Sequence, residues 1–416
     1  MGIPIAKQYI KDFEQLGLGV FVHFGLYSLL EEGEWTYELN KWEPEEYRKL
    51  MGRFNPRPMG ELVREIKKSG AKYITLTTRH HDGFSLYDTC GFNDYDAPHS
   101  AAGRDLVREF VDACREEDIV PFHYHTTLDW CHKDFENDFD AYLKYLRDSV
   151  ELLCKNYGKI GGLWFDGNWS KTGEDDVWQE NELYALIRKY QPDAMIINNT
   201  GLSKLGELGH PEIDSVTCER GAPSSIDRSG MEKYVAGEVC DGITSYWGIA
   251  EDFDIKSPKA LIEQLALSRC AGLNYLINVG PKGDGSLDNM SAAILEVIGK
   301  WMAKYGEAVY DGRPLWQKDG VLNFALQSDS SVYFFCFKLR FSANENAIMD
   351  ADKFAGEFKF EDFTLPVENI RWMDNGEQLE IKQTEKDLAI NFTPYRYGSD
   401  YVVRVAKGTI VKEEKM

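Results

Sequence analysis

Gly161-Gly162-Leu163-Trp164-Phe165-Asp166-Gly167 is a short apolar run that ends in an acid followed by glycine. Such a run reads as a buried strand delivering one carboxylate to its C-terminal mouth. Trp164 and Asp166 are two residues apart, so on a strand they point to the same side. An aromatic floor beside a carboxylate suits an enzyme that cleaves sugars. An Asp-Gly pair after a strand is also an ordinary turn, so the neighbouring segments decide the reading.

Outward from this stretch, short apolar runs alternate with helical patterns from about residue 18 to 305. The expected strands are 20–24, 73–78, 119–125, 162–165, 195–198, 215–218, 243–247 and 275–279. The seventh is marked only by the turn signal Asp241-Gly242. Amphipathic stretches such as 106–116, 139–154 and 183–190 lie between them. Ser257-Pro258 reads as an N-cap with proline at the first helical position, and Lys67, Lys68 and Gly70 as a C-terminal stop. Eight strands alternating with helices predict a (β/α)8 TIM-like barrel. A doubly wound sheet usually carries a phosphate-binding glycine loop, whereas Gly280-Pro281-Lys282-Gly283-Asp284-Gly285 has proline and an acid where free N–H groups are needed.

After Gly312-Arg313-Pro314 the pattern becomes all-β, with strands expected at 323–327, 331–338, 358–363, 370–372, 379–381, 388–392 and 401–405. The expectation is a catalytic barrel over 1–315 and a C-terminal β-sandwich over 316–416. The tail 412–415 reads as solvated.

Forty-seven basic against 69 acidic residues give a net charge of −22, which argues against nucleic acid or an anionic membrane as partner. No run approaches a membrane span, and the N-terminus lacks an apolar stretch of signal-peptide length. Eight cysteines without CxxC spacing read as reduced thiols, so a cytoplasmic location is expected. Aromatic residues make up 13% of the chain, enough to line a pocket as well as fill a core.

In a barrel the site stands at the C-terminal strand ends. Those ends carry His23; Arg79, His80, His81 and Asp82; His123, His125, Asp129 and Trp130; Trp164 and Asp166; Asn198, Asn199 and Thr200; and Glu219. Five of the eight histidines fall there. One reading is a metal-dependent barrel hydrolase built on His123-x-His125, although the later strands add no histidine. The other is recognition of a neutral polyol, with imidazoles on hydroxyls, tryptophan on the ring and two carboxylates as a catalytic pair.

Here a family resemblance becomes specific. Gly19-Val20-Phe21-Val22-His23-Phe24-Gly25-Leu26-Tyr27-Ser28, Glu34-Trp35 and Thr77-Thr78-Arg79-His80-His81-Asp82-Gly83-Phe84 resemble the family 29 α-L-fucosidases of the glycoside hydrolases. Leu163 to Gly167 resembles that family's nucleophile strand, and Leu276 to Gly285 its last barrel strand and loop. The resemblance runs from about residue 10 to 315 and implies the barrel and a C-terminal sandwich. It implies a retaining exo-acting enzyme on fucosylated oligosaccharides, with Asp166 as nucleophile and no metal or cofactor. It further implies that His23, Glu34, Trp35, His80, His81 and Trp164 bind the sugar. His125 is assigned to the same set, about where many relatives have tyrosine; Thr200 stands where some have arginine, and that contact is not carried over.

Asp214 to Glu219 resembles the segment that carries a catalytic glutamate, which makes Glu219 the expected acid/base, with Glu212, Asp214 and Glu238 as rivals. A carbohydrate-binding relative without catalysis is the non-enzyme alternative.

Overall fold

A strand buried on both faces and both edges has no place in an open two-layer structure, and the early strands of this chain are of that kind. The computed structural model describes residues 2–171, 177–200, 208–342 and 355–411; the tail 412–415 lies outside them. Its first strands are β1 (Leu18–Val22), β2 (Tyr73–Arg79), β3 (Val120–Thr126), β4 (Gly162–Asp166), β5 (Met195–Asn198), β6 (Ser215–Glu219), β7 (Ala236–Gly242) and β8 (Asn274–Val279). They pair in parallel in chain order, and β1 pairs with β8 to close the barrel.

Strand period explains the continuous apolar reading of β4. Trp164 points inward to pack with Phe21, Tyr124 and Leu276, while Leu163 and Phe165 point outward onto Leu146, Val150 and Ile187. At the opposite end from the mouth, Ile10 and Phe13 of the helix Gln8–Leu16 join Tyr73, Phe122 and Met195 in the interior. The barrel is thus a filled core and not a pore. Gly19 makes room for this filling, since a Cβ there would stand 2.4 Å from the Tyr73 ring.

Two local expectations change. The seventh strand is Ala236–Gly242 and not 243–247, which follows it as bends at the mouth. Its inward Glu238 disguised it, because an acid interrupts the apolar pattern that marks a buried strand. Tyr73 Oη and Trp164 Nε1 donate to that carboxyl at 2.5 and 3.0 Å, which lets it sit inside the barrel. Helices follow β2, β3, β4 and β7 as Leu106–Glu116, Phe139–Asn156, Glu180–Tyr190 and Pro258–Cys270, but among the described residues none separates β5 from β6 or β6 from β7. The Ser257 hydroxyl accepts the Ala260 N–H at 3.2 Å, and Gly70 takes φ +83 after the helix Met59–Lys67. No helix among the described residues is long and apolar enough to cross a membrane.

The described residues fall into two compact units, 1–256 with 273–296, and 257–272 with 297–416. In the second, β9 (Arg313–Trp316), β10 (Phe324–Gln327), β11 (Ser331–Phe337), β14 (Val367–Trp372) and β18 (Val403–Ile410) form one sheet in the order β14-β18-β11-β10-β9. A second sheet has the order β13-β16-β15, with β13 (Gly356–Phe360), β15 (Glu380–Gln383) and β16 (Leu388–Phe392); β12 (Phe341–Ser342) and β17 (Tyr395–Arg396) make a small pair. Phe334, Ile370 and Trp372 of the first sheet share a core with Phe360, Ile390 and Phe392 of the second, the packing of a sandwich. Arg404, 3% exposed, is accommodated there by a two-point pair with Asp374 at 2.8 and 3.0 Å and by the Trp372 ring at 4.1 Å.

Gly19→Val should lower unfolding stability by about 3 kcal/mol or more, because the added carbons have no room beside Tyr73. Urea unfolding followed by tryptophan fluorescence measures it.

Candidate active site

Parallel closure sends the C-terminal ends of all the barrel strands to one mouth. A cavity of about 290 Å³ opens there, lined by Phe21, His23, Trp35, His80, His81, Tyr124, Trp164, Asp166, Trp169, Asn199, Glu219, Cys240 and Trp247. Of the expected sugar contacts, His23, Trp35, His80, His81 and Trp164 line it together with both carboxylates.

Asp166 ends β4, and the chain leaves it through Gly167 at φ +112. Four groups surround the carboxylate. Trp169 Nε1 and Asn199 Nδ2 donate to Oδ1 at 3.3 and 3.4 Å; Tyr124 Oη donates to Oδ2 at 3.3 Å, and His81 Nε2 stands 3.5 Å from Oδ2. Burial pushes the carboxyl up, but His81, the Trp169 indole and the Gly167 N–H outweigh it and hold the group below the usual Asp range. Glu219, at the end of β6, accepts Asn199 Nδ2 at 2.6 Å. Burial raises it above the ordinary Glu range, and the charge of Asp166 adds to the shift against the Asn199 bond and Arg220. One amide nitrogen therefore serves both carboxylates, and their environments push the two apart in acidity.

The histidines are set by what holds them. Asn278 Nδ2 donates to Trp247 O at 2.7 Å, so its Oδ1 accepts from His23 Nδ1 at 2.6 Å and leaves His23 Nε2 as an acceptor. Burial lowers His23 to about 3 and takes His80 well below the usual imidazole range, so both are neutral near pH 7. Thr126 Oγ1 donates to Leu128 O at 2.5 Å and hence accepts from His81 Nδ1 at 2.7 Å. The neutral rings of His23 and His80 suit uncharged hydroxyls.

Two expected contacts stand elsewhere. Glu34 does not line the cavity; its Oε2 accepts the backbone N–H groups of Trp247 and Gly248 at 3.1 and 2.9 Å and so fixes the cavity wall from behind. His125 lies outside the barrel wall, with Nδ1 on Thr126 O at 2.7 Å and Nε2 3.2 Å from Tyr87 Oη. The period of a strand requires this, because Phe122, Tyr124 and Thr126 share one face and His123 and His125 the other. Tyr124 is therefore the residue that β3 sends into the cavity. The pair His123 and His125 cannot ligate a metal in that cavity, and among the described residues no three His, Cys, Asp or Glu side chains converge to hold one. Of the rival acids, Glu212 and Asp214 precede β6 at the end remote from the mouth, and both bind Arg188.

The sequence reading missed Phe21, Tyr124, Trp169, Cys240 and Trp247 as cavity residues. Phe21 and Tyr124 share the inward face with Trp164, a signal that strand alternation carries. Trp169 and Trp247 sit in loops, whose course no periodicity reports.

A family model described as alpha-L-fucosidase matches residues 5–307. Tissue alpha-L-fucosidase of Bos taurus is 28% identical over 341 residues, which span 73% of this chain and 69% of the relative. The solved alpha-L-fucosidase isoenzyme 1 from Paenibacillus thiaminolyticus superposes with a TM-score of 0.82 at 28% identity, covering 97% of this chain and 99% of that one. The trapped covalent intermediate of an alpha-L-fucosidase from Bacteroides thetaiotaomicron, in complex with 2-fluoro-fucosyl fluoride, shares the fold with a TM-score of 0.81 at 21% identity, covering 99% and 98%.

Glu238, 1% exposed beneath the cavity floor, touches two neutral donors and no cation, and burial raises it to about 7. Unfolding returns it to the ordinary range, so between about pH 4.5 and 7 the unfolded chain binds fewer protons and stability falls as pH rises. Across that window the native protein should lose about 3 kcal/mol relative to Glu238→Gln, which cannot ionise. Urea titrations of both proteins at pH 4.5 and 7 measure the difference.

Proposed function

The chain belongs to the alpha-L-fucosidase family, and on that premise we propose that it removes terminal α-linked L-fucose from oligosaccharides or glycoconjugates with retention, through a covalent fucosyl-enzyme. The observation that carries this reading is the amide shared by Asp166 and Glu219. Its nitrogen lies 3.4 Å from one carboxylate oxygen and 2.6 Å from the other, so the two oxygens are at most about 6 Å apart, short of the roughly 6.5–9.5 Å typical of inverting pairs.

In this mechanism the ionised Asp166 attacks the anomeric carbon while the Glu219 carboxyl gives its proton to the departing glycosidic oxygen. Water then attacks the same carbon from the vacated face, Glu219 takes its proton, and Asp166 leaves as carboxylate. His23 and His80 hold ring hydroxyls. Phe21, Trp164 and Trp247 offer apolar surface to the C5 methyl group and the ring. A pocket floored by Trp164 and Phe21 suits a terminal residue and hence exo action. The comparison with an enzyme trapped as a covalent intermediate supports the same course.

A cytoplasmic location is also proposed, on eight cysteines that are all free thiols; recovery of the native protein only from a secreted fraction would overturn it.

Asp166→Ala should lower kcat on an aryl fucoside by at least about 10³-fold with the fold intact by circular dichroism; near-normal turnover removes Asp166 as nucleophile. For Glu219→Ala, azide should restore turnover and yield α-fucosyl azide by NMR; no rescue here, with rescue in the Glu238→Ala variant, moves the acid/base role. The pH profile of kcat/KM should be a bell, with its acid limb below the ordinary Asp range and its alkaline limb above the ordinary Glu range.

A further inference from the structure

We propose that Trp169 is a positioning residue for the nucleophile: its indole N–H fixes Asp166 Oδ1 for attack, while its ring closes the outer wall of the cavity against Trp35. This rests on the assignment of Asp166 as nucleophile.

The turn that carries Trp169 is held at many points. Gly167 takes a left-handed φ where a Cβ would stand 2.8 Å from Leu128 N and Cβ, so this course away from Asp166 needs glycine. Asn168 Oδ1 accepts the Thr127 hydroxyl at 2.8 Å, and Asn168 Nδ2 donates to Glu180 Oε1 at 2.8 Å. Ser170 N–H returns to Gly167 O at 2.9 Å, and the buried Trp178 donates to Asn168 O at 3.0 Å. A tryptophan that is 40% exposed has no packing reason to be held so firmly. What the turn achieves is to aim Nε1 at Oδ1 of Asp166 at 3.3 Å and to lay the ring parallel to Trp35, 5.6 Å between centroids at 14°.

The two oxygens of Asp166 are served unequally. Oδ2 faces Tyr124 and His81, whereas Oδ1 faces only the neutral donors Trp169 and Asn199. Asn199 lies closer to Glu219, at 2.6 against 3.4 Å, so at Oδ1 the indole is the donor that Asp166 does not share with the acid/base. A charge-assisted bond of this kind both favours the carboxylate and restricts its rotation. The other titratable groups that bear on Asp166 are His81 from the end of β2, Tyr124 from β3, Glu219 from β6, Cys240 from β7 and His23 from the end of β1. Of these, His81 also meets the Trp169 ring edge-on, 5.9 Å between centroids, and an aromatic replacement keeps a ring there.

The experiment compares Trp169→Phe, which keeps an aromatic wall and removes the N–H, with Trp169→Leu, which removes both. In Trp169→Phe, kcat on an aryl fucoside should fall about tenfold with KM within roughly threefold, and the acid limb of kcat/KM should move up by about half a pH unit or more. Trp169→Leu should show the same acid limb and, in addition, a KM raised by about tenfold. An unmoved acid limb in Trp169→Phe overturns the proposal, whatever happens to kcat, because a purely structural role would not change the ionisation of Asp166. Asp166→Ala separates the two levels: substantial activity there removes the nucleophile assignment, while an inactive Asp166→Ala beside an unmoved limb in Trp169→Phe removes only the role of Trp169.

Discussion

Two carboxylates within reach of one amide, in a cavity walled by aromatic rings, cannot both ionise without large repulsion, and the rest of the site is arranged around that restriction. Asp166 is surrounded by three donors, an indole, a phenol and the shared amide, with the His81 ring beside them. Glu219 has the shared amide and desolvation. The asymmetry holds Asp166 below and Glu219 above the ordinary carboxyl ranges. The same desolvation keeps His23 and His80 neutral beside the two carboxyl groups.

The barrel makes such a cavity possible by filling itself below it. Tyr73, Phe122 and Met195 occupy the interior beneath the level of Trp164, and Gly19 yields its side-chain space to Tyr73. Glu238 belongs to this support: it accepts from Tyr73 and Trp164 and so ties the cavity floor to the core. Glu34 acts similarly on the wall, through the backbone of Trp247 and Gly248. In both, carboxyl oxygens hold neighbouring groups in place.

Legibility in the sequence followed periodicity. β4 and β8 were readable because uninterrupted apolar runs end in polar residues, and the C-terminal sandwich because short strands alternate with turn residues. β7 was not, since Glu238 and Asp241 break its run, and only the donors Tyr73 and Trp164, 165 and 74 residues away in the chain, make an acid tolerable there. His125 was misread by one residue, and one residue on a strand is the whole difference between cavity and wall.

Composition, strand pattern and the dense motifs from Gly19 to Gly285 were enough to determine a barrel, a sandwich and a resemblance to sugar-cleaving enzymes, with Asp166 at the end of its strand. Which acid stands beside Asp166, which face of β3 serves the cavity and where the loop tryptophans stand were decided only in three dimensions. The physical reason is that these are relations between strand ends far apart in the chain. Hydrogen-bond reach and desolvation depend on distance in space, and neither leaves a period in the sequence.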